Sequence, residues 1–217
     1  MSEIAPPSPE LKRPKFLYFD LGNVLLFFSH RLAAEQMATV CNAAAERMWQ
    51  LVFDGGLNHQ LDGGTLTTRG FYDALCQEFA CQPDYAALCT AGSDIFKPNV
   101  SMLAVVAALS MAGQPIGILS NTSDLHWQFI TDGRYALIPE AFDRVVLSFE
   151  HRAMKPGPEI FRIAAAEAGV APDEVFYVDD IPANVEGARA AGFDAVLYTS
   201  AADYVYELRR RGIRINF

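Results

Sequence analysis

The feature that most constrains the fold of this chain is the alternation of short, β-rich apolar runs with stretches of helical periodicity. Apolar runs predict strands over 16–19, 116–119, 145–147, 175–178 and 195–198. Helical patterns separate several of them, over 99–113, 158–169 and 182–192. This alternation is typical of a parallel sheet whose strands are connected by covering helices. We therefore predict an α/β fold with a Rossmann-like parallel sheet core and helices on both faces.

The ends of these helical patterns carry the expected residues. Pro158 and Pro182 begin two of them, and Gly169 and Gly192 follow their last turns. Proline is favoured at the first helical position and glycine just past the end. In the remaining pattern, Asn99 stands at the position of a cap residue.

A long segment over 28–98 interrupts the alternation. It is rich in alanine and helix-patterned, and it contains no convincing strand. Glycines at 55, 56, 63 and 64 predict a loop between its helices. We interpret 28–98 as a helical insertion, 16–27 together with 99–217 as the α/β core, and the proline-rich 1–15 as a flexible tail.

Composition narrows the possible partners and location. With 217 residues, 51% of them hydrophobic, the chain can form one domain with room for an insertion, and its net charge of -9 argues against a general nucleic-acid surface. No apolar run approaches the roughly 18 residues of a membrane span, and 1–15 lacks the apolar centre of a secretory signal. The four cysteines show no CxxC spacing. We expect a cytoplasmic protein without nucleic-acid or membrane partners, and the oligomeric state remains open.

Polar side chains follow four of the predicted strands. Taken singly, an aspartate at a strand end could cap a turn, a Ser-Asn-Thr cluster could cap the next helix, and a Lys-Pro-Gly segment could be a solvated loop. The carboxyl ends of parallel strands meet at one sheet edge, however, so these side chains should converge there. Three clustered carboxylates repel one another, and a divalent cation with oxygen ligands plus a lysine would hold them ionised. In strand order the residues are Asp20, Ser120 with Asn121, Lys155, and Asp179 with Asp180.

Four segments around these residues, FDLGNVL, ILSNT, MKPGPEIF and VDDIPANVEGARAAGF, together resemble the four motifs of the haloacid dehalogenase superfamily. The helical insertion resembles the C1-type cap of that superfamily. The opening FDLGNV and the stretch LNHQLDGGTLTTRGFYDALCQEF are similar to a subgroup that includes bacterial α-D-glucose-1-phosphate phosphatases. The resemblance implies a phosphatase acting on a small phosphorylated metabolite, such as a sugar phosphate.

The resemblance also implies roles for the residues that contact the phosphoryl group. Asp20 would attack phosphorus and form an aspartyl-phosphate that water then hydrolyses. Ser120 and backbone N–H groups near Asn121 would bind the phosphoryl oxygens. Lys155 would offset the negative charge of Asp20 and of the transferring group.

A Mg²⁺ cofactor is implied in the same way. Its ligands would be Asp20, the backbone carbonyl of Gly22 and Asp180, with Asp179 as a further or water-mediated ligand. Asn184, on the helix that follows, would orient the acidic loop; an ordinary first-turn helix residue is the alternative.

One position departs from the resemblance. The family motif is Asp-x-Asp, and its second aspartate, the general acid and base, is replaced here by Gly22. His126 and His30 are candidates to supply the missing proton transfer, although either could be an ordinary structural histidine. His59 and Asp62 lie in the predicted glycine-flanked loop, where a closing cap could present them to the leaving group; a solvated loop is the alternative.

Two rival functions follow from these features. A 2-haloacid dehalogenase would use the same aspartate to attack carbon, but the Asp179-Asp180 pair favours a metal-dependent phosphatase. A non-catalytic binding protein is the other, because Gly22 replaces the aspartate that acts as general acid and base in the family motif. The presence of Asp20 and Lys155 argues against that reading.

Overall fold

The computed structural model describes residues 11–215. Its strands are β1 (Phe16–Phe19), β2 (Leu26–Phe27), β3 (Lys97–Pro98), β4 (Ile116–Ser120), β5 (Arg144–Leu147), β6 (Val175–Asp179) and β7 (Asp194–Leu197). Five parallel strands form one sheet in the order β5-β4-β1-β6-β7, and β2 and β3 form a separate antiparallel pair. The predicted α/β fold is confirmed, and both ends of each predicted strand lie within one residue of the observed ends.

Helices connect the strands and form the insertion. The α-helices are α1 (His30–Val40), α2 (Ala45–Trp49), α3 (Leu57–Asp62), α4 (Thr68–Phe79), α5 (Tyr85–Ser93), α6 (Val100–Met111), α7 (Asp124–Ile130), α8 (Ser148–His151), α9 (Pro158–Ala168), α10 (Pro182–Ala190) and α11 (Ala201–Arg210). A π-helical turn spans Gln50–Asp54 and a 3₁₀ turn spans Pro172–Glu174. The three helices predicted in the core are confirmed as α6, α9 and α10, and Gly169 ends α9 in the left-handed conformation.

Successive side chains of each strand point to opposite faces of the sheet, and helices cover both faces. Leu17 and Phe19 of β1 pack in one hydrophobic cluster with side chains of α6 and α11. Phe16 and Tyr18 pack in a second cluster with side chains of α9 and α10. The sheet is therefore held rigidly between two helical layers, which fixes the positions of the residues at its carboxyl edge.

The chain enters the insertion through β2 and returns through β3, where Phe27 pairs with Lys97. The expectation that 28–98 contains no strand is therefore wrong at its last two residues, because a two-residue pairing leaves no alternating pattern to detect. Helices α1 to α5 share a hydrophobic cluster of their own, which Leu125 of α7 joins. Asn99 precedes α6 without capping it; its Nδ2 instead donates to Val24 O and to the Tyr198 hydroxyl, both at 2.8 Å.

The segment predicted as a glycine-flanked loop is instead the short helix α3. Gly56 precedes it with a φ of 79°, a left-handed conformation that glycine adopts without strain. Beyond its other end, a Cβ on Gly64 would lie 2.1 Å from Phe149 O. A glycine is required there because the end of α3 lies directly against the backbone of α8.

The start of the described chain is attached to the core. The Lys12 ammonium lies 2.8 Å from the Asp173 carboxylate, and Lys15 N–H donates to Glu174 O at 2.8 Å. Of the tail predicted over 1–15, the first ten residues lie outside the described range. Among residues 11–215, every helix falls short of the length and apolar character that crossing a membrane requires.

Candidate active site

The carboxyl edge of the sheet brings together the polar residues that follow its strands. Asp20 comes directly after β1, and its N–H donates to Val178 O at 2.9 Å, which extends the pairing of β1 with β6. Ser120 and Asp179 are the last residues of β4 and β6. All three side chains are buried, and Lys155 is buried between them.

The Lys155 ammonium is the centre of a dense polar cluster. It lies 2.8 Å from Asp20 Oδ1, 2.7 Å from Asp179 Oδ2, 3.0 Å from Leu119 O and 2.8 Å from the Tyr177 hydroxyl. Burial lowers the pKa of Lys155, but the two carboxylates outweigh it and the pKa is raised overall. Lys155 is therefore a fixed positive charge beside Asp20.

Both carboxylate oxygens of Asp179 already accept hydrogen bonds. Its Oδ1 accepts from Ile181 N–H at 2.8 Å and from Asn184 Nδ2 at 3.0 Å. Its Oδ2 accepts from Lys155 and from the hydroxyl of Tyr177. Because a carboxylate offers about four acceptor positions, Asp179 can hold Lys155 and the following loop in place but is poorly placed to bind a metal directly.

Asp20 and Asp180, by contrast, keep free acceptor positions. Of the two Asp20 carboxylate oxygens, Oδ1 accepts from Lys155 and Oδ2 has no hydrogen-bond partner among residues 11–215. Asp180 is half-buried, and its Oδ2 accepts from Asn23 Nδ2 at 3.0 Å. Ligand atoms of Asp20, Asp179 and Asp180 all lie within 4.8 Å of one another. Gly22 lines a small cavity together with Asp20 and Asp180.

The electrostatics of this cluster favour a divalent cation. Three carboxylates and the Lys155 ammonium leave a formal charge of about -2 when all are ionised. Burial raises the pKa of Asp20 to about 7, while Lys155 opposes and Asp179 reinforces the shift. Burial also raises the pKa of Asp180. Hard oxygen donors with two uncompensated negative charges fit Mg²⁺.

The loop after β4 is locked to the loop that carries Lys155. Asn121 Nδ2 donates to Lys155 O at 2.9 Å, and Lys155 N–H donates to Asn121 Oδ1 at the same distance. The Asn121 amide is therefore occupied, and a contact of this residue with phosphate would have to come from its backbone. Ser120, immediately before it, has only a long contact from Oγ to Asn121 O at 3.4 Å.

Two adjoining cavities open at this edge. The smaller one, about 100 Å³, is lined by Asp20, Asp180 and Lys155 among others. The larger one, about 210 Å³, is lined both by the core and by the insertion. The two cavities share Gly22, Phe28, Asn121 and Ile181. A ligand with its charged group in the smaller cavity could therefore extend into the larger one.

The two histidines proposed for proton transfer both line the larger cavity. His126 is buried, its Nε2 lies 3.3 Å from Gly92 O, and burial lowers its pKa to about 4. His30 stacks on Phe53 at 4.6 Å between ring centroids, and burial lowers its pKa as well. Both imidazoles are thus neutral near pH 7, which makes them weak proton donors.

Phe28 fills the space beside Gly22. A Cβ on Gly22 would lie 2.8 Å from Phe28 Cε1. The ring itself contacts His30 and Phe96, with centroid distances of 4.8 and 6.1 Å. A second acidic side chain at position 22 would therefore meet an aromatic ring.

The insertion presents one of its two predicted residues to the site. Asp62, the last residue of α3, lines the larger cavity. His59 is exposed and lines neither active-site cavity. His59 lies one helical turn before the end of α3 that contacts α8, and its contact with a substrate stays a prediction.

Four residues of this arrangement were missed in the sequence. Tyr177 could have been found, because it precedes Asp179 by two positions on β6 and so points to the same face. Asn23, Phe28 and Ser148, whose hydroxyl donates to Asp62 O, have no comparable signal. Their places depend on the turn after β1 and on the contact between α3 and α8.

The parallel sheet, the polar cluster at its carboxyl edge and the inserted helices define the class of an α/β hydrolytic enzyme. A family model of haloacid dehalogenase-like hydrolases matches residues 15–192. The chain belongs to this family.

Individual relatives extend this assignment. The chain is 31% identical over 124 residues to a β-phosphoglucomutase of Mycobacterium bovis, covering 56% of this chain and 46% of the relative, and so spans about half of that protein. It is 23% identical to a D-ribitol-5-phosphate phosphatase of Bacteroides thetaiotaomicron, covering 89% and 96% of the two chains. A structure of a family enzyme from the same bacterium, in complex with magnesium and inorganic phosphate, superposes with a TM-score of 0.77 at 25% identity, covering 90% of this chain and 100% of that one.

Proposed function

We propose that this chain is a Mg²⁺-dependent phosphatase that hydrolyses a small phosphorylated metabolite through an aspartyl-phosphate on Asp20. The observation that carries the proposal is the asymmetry of the Asp20 carboxylate. Lys155 holds Oδ1 at 2.8 Å, while Oδ2 has no partner among residues 11–215. A carboxylate oriented through one oxygen and free at the other is suited to nucleophilic attack.

In this proposal, Asp20 attacks phosphorus and expels the alcohol, and water then releases phosphate from Asp20. Lys155 stabilises negative charge on the phosphoryl group, because it is a buried cation fixed by several acceptors before substrate arrives. Ser120 and backbone N–H groups near Asn121 bind the phosphoryl oxygens. Their position at the end of β4, next to Asp20, supports this role.

The metal would be held by Asp20, by the carbonyl of Gly22 and by Asp180, with Asp179 acting indirectly through Lys155 and through Asn184. Mg²⁺ would supply electrostatic stabilisation of the phosphoryl oxygens when it is bound. The free acceptor positions of Asp20 and Asp180 and the uncompensated charge of the cluster support this arrangement.

The substrate would place its phosphate beside Asp20 and its remaining part in the larger cavity, under the insertion acting as a C1-type cap. Relatives named for phosphoglucose and ribitol 5-phosphate chemistry support a phosphorylated sugar or polyol. The similarity of FDLGNV to the glucose-1-phosphate phosphatase subgroup favours a sugar 1-phosphate, whose anomeric hydroxyl is a comparatively acidic leaving group.

A non-catalytic binding protein is the second candidate, because Phe28 occupies the space beside Gly22 where an acid would lie. A 2-haloacid dehalogenase is less consistent with the site, since Asp180 would add an unneeded negative charge beside the nucleophile.

Phosphate release from a panel of sugar, polyol and nucleoside monophosphates, measured with Mg²⁺ and with excess chelator, tests the proposal. We expect turnover that stops on chelation and returns with Mg²⁺. Halide release from 2-haloacids in chelator would identify a dehalogenase. No turnover of any compound, together with measurable binding of one, would identify a binding protein.

A further inference from the structure

The carboxyl group of Asp62 is held in an unusual way in the larger cavity. Its Oδ2 accepts from Asn58 Nδ2 at 2.8 Å, one helical turn earlier on α3. Its Oδ1 is inaccessible to solvent and has no hydrogen-bond partner anywhere in residues 11–215. An unpartnered buried polar atom costs about 1 to 3 kcal/mol. Since Asp62 lines a ligand-sized cavity, a ligand that reorients its carboxyl group would supply the missing partner.

The position of Asp62 is fixed from the core rather than from the insertion alone. The Ser148 hydroxyl lies 2.5 Å from Asp62 O and accepts from Thr122 N–H at 3.0 Å. Thr122 belongs to the loop that begins at Ser120, and it lines the same cavity. One serine therefore connects the end of α3 to the loop that follows β4, so Asp62 keeps a constant place relative to the phosphate-binding residues.

Asp62 is also the best proton donor in the cavity. Titratable groups that line it are Asp62, His30 and His126. Burial keeps both histidines neutral. Burial likewise raises the pKa of Asp62 to about 7, against the opposing hydrogen bond from Asn58. A carboxyl group that retains its proton near neutral pH can act both as an acid and, after losing it, as a base.

We propose that Asp62 is the general acid and base of this site, a role that rests on the phosphatase function proposed above. As the bond from Asp20 to phosphorus forms and the bond to the leaving oxygen breaks, Asp62 gives its proton to that oxygen. Its carboxylate then takes a proton from water while the water oxygen attacks phosphorus and Asp20 is released. The products are the alcohol and phosphate, and Asp62 regains its proton.

The experiment compares wild type with Asp62→Asn on aryl phosphates with leaving groups from p-nitrophenol to phenol, and on the best alkyl phosphate of the metabolite panel. For the alkyl phosphate, we expect kcat/KM of the variant to fall by about 100- to 10,000-fold. For p-nitrophenyl phosphate, kcat/KM should change by less than about threefold, because nitrophenolate leaves without a proton and kcat/KM reports only the first step.

A burst of p-nitrophenol should also appear in the variant, because hydrolysis of the aspartyl-phosphate still needs a base. The matched control is Asp73→Asn, an exposed aspartate on α4 that pairs with Arg69 and should behave like wild type. Circular dichroism of each variant verifies folding, and Asp62→Ala provides a second variant if Asp62→Asn is unstable.

Equal losses of kcat/KM on all substrates would overturn the proposal, since they would mean that Asp62 binds substrate or supports structure. Unchanged kinetics would overturn it as well. If wild type released no phosphate from any compound, the proposed function itself would fail, and that result is distinct from a failure of the Asp62 role in an active enzyme.

Discussion

The core side and the insertion side of the active site differ in how fully their polar groups are hydrogen-bonded. On the core side, Lys155, Asp179 and Tyr177 satisfy one another so fully that the cluster is complete before any ligand arrives. On the insertion side, the Asp62 carboxyl has an empty acceptor and lies among neutral or apolar groups. In the proposed phosphatase, the groups that serve phosphoryl transfer are therefore in place before substrate binds, whereas the group that meets different leaving groups gains its last partner from the substrate.

The sharpest test of the core side is loss of the nucleophile. Asp20→Asn keeps the shape of the side chain and an oxygen for Lys155, but it cannot form the aspartyl-phosphate. We expect phosphate release to fall by at least about 10,000-fold, comparable with nucleophile losses in other enzymes. Steady-state assays with fully folded protein measure this. A variant with near wild-type turnover would mean that the cluster around Lys155 is structural and that the chemistry lies elsewhere.

The second test separates the two members of the acidic pair. Asp180→Ala removes a carboxylate with a free acceptor position, so the Mg²⁺ concentration for half-maximal activity should rise by about 10-fold or more. Asp179→Asn should lower kcat with a smaller change in Mg²⁺ dependence, because its oxygens already accept hydrogen bonds from Lys155 and Asn184. Mg²⁺ titrations of activity, supported by calorimetry, compare the two. The reverse order would show that Asp179 is the direct ligand.

The smallest expected effect is on folding stability, which falls when the Asp62 carboxyl group ionises in its buried position. Burial raises the folded-state pKa of Asp62 to about 7, above its ordinary value of 3.8. The folded state then binds more protons than the unfolded state between these values, so this group's contribution to stability declines as pH rises from about 4 to about 7. Asp62→Asn abolishes that decline.

We therefore expect the unfolding temperature of Asp62→Asn, minus that of wild type, to become more positive as pH rises through this window. Thermal unfolding of both proteins without Mg²⁺ measures the difference. His30 and His126 titrate in both proteins, so their contributions cancel. A difference that does not vary with pH would show that Asp62 ionises normally in the folded protein.

The sequence was most informative where strand ends determine position. Asp20, Ser120 and Asp179 follow or end apolar strands, and parallel pairing alone brings them to one edge. It was least informative in the insertion, where local pattern could not distinguish His59 from Asp62. Asp62 lines the larger cavity and His59 does not, and the end of α3 is placed by a contact of Gly64 with Phe149, which joins segments far apart in the chain. The engagement of the Asn121 amide with Lys155 is likewise a tertiary contact without local signature.

The contact between Gly22 and Phe28 also bears on how this protein can evolve. A Cβ introduced at position 22 would lie 2.8 Å from Phe28 Cε1, so an acidic side chain there requires the ring to move or a smaller residue at position 28. A smaller residue at position 28 alone would leave a gap against His30 and Phe96. We therefore expect the residues at these two positions to change together during evolution.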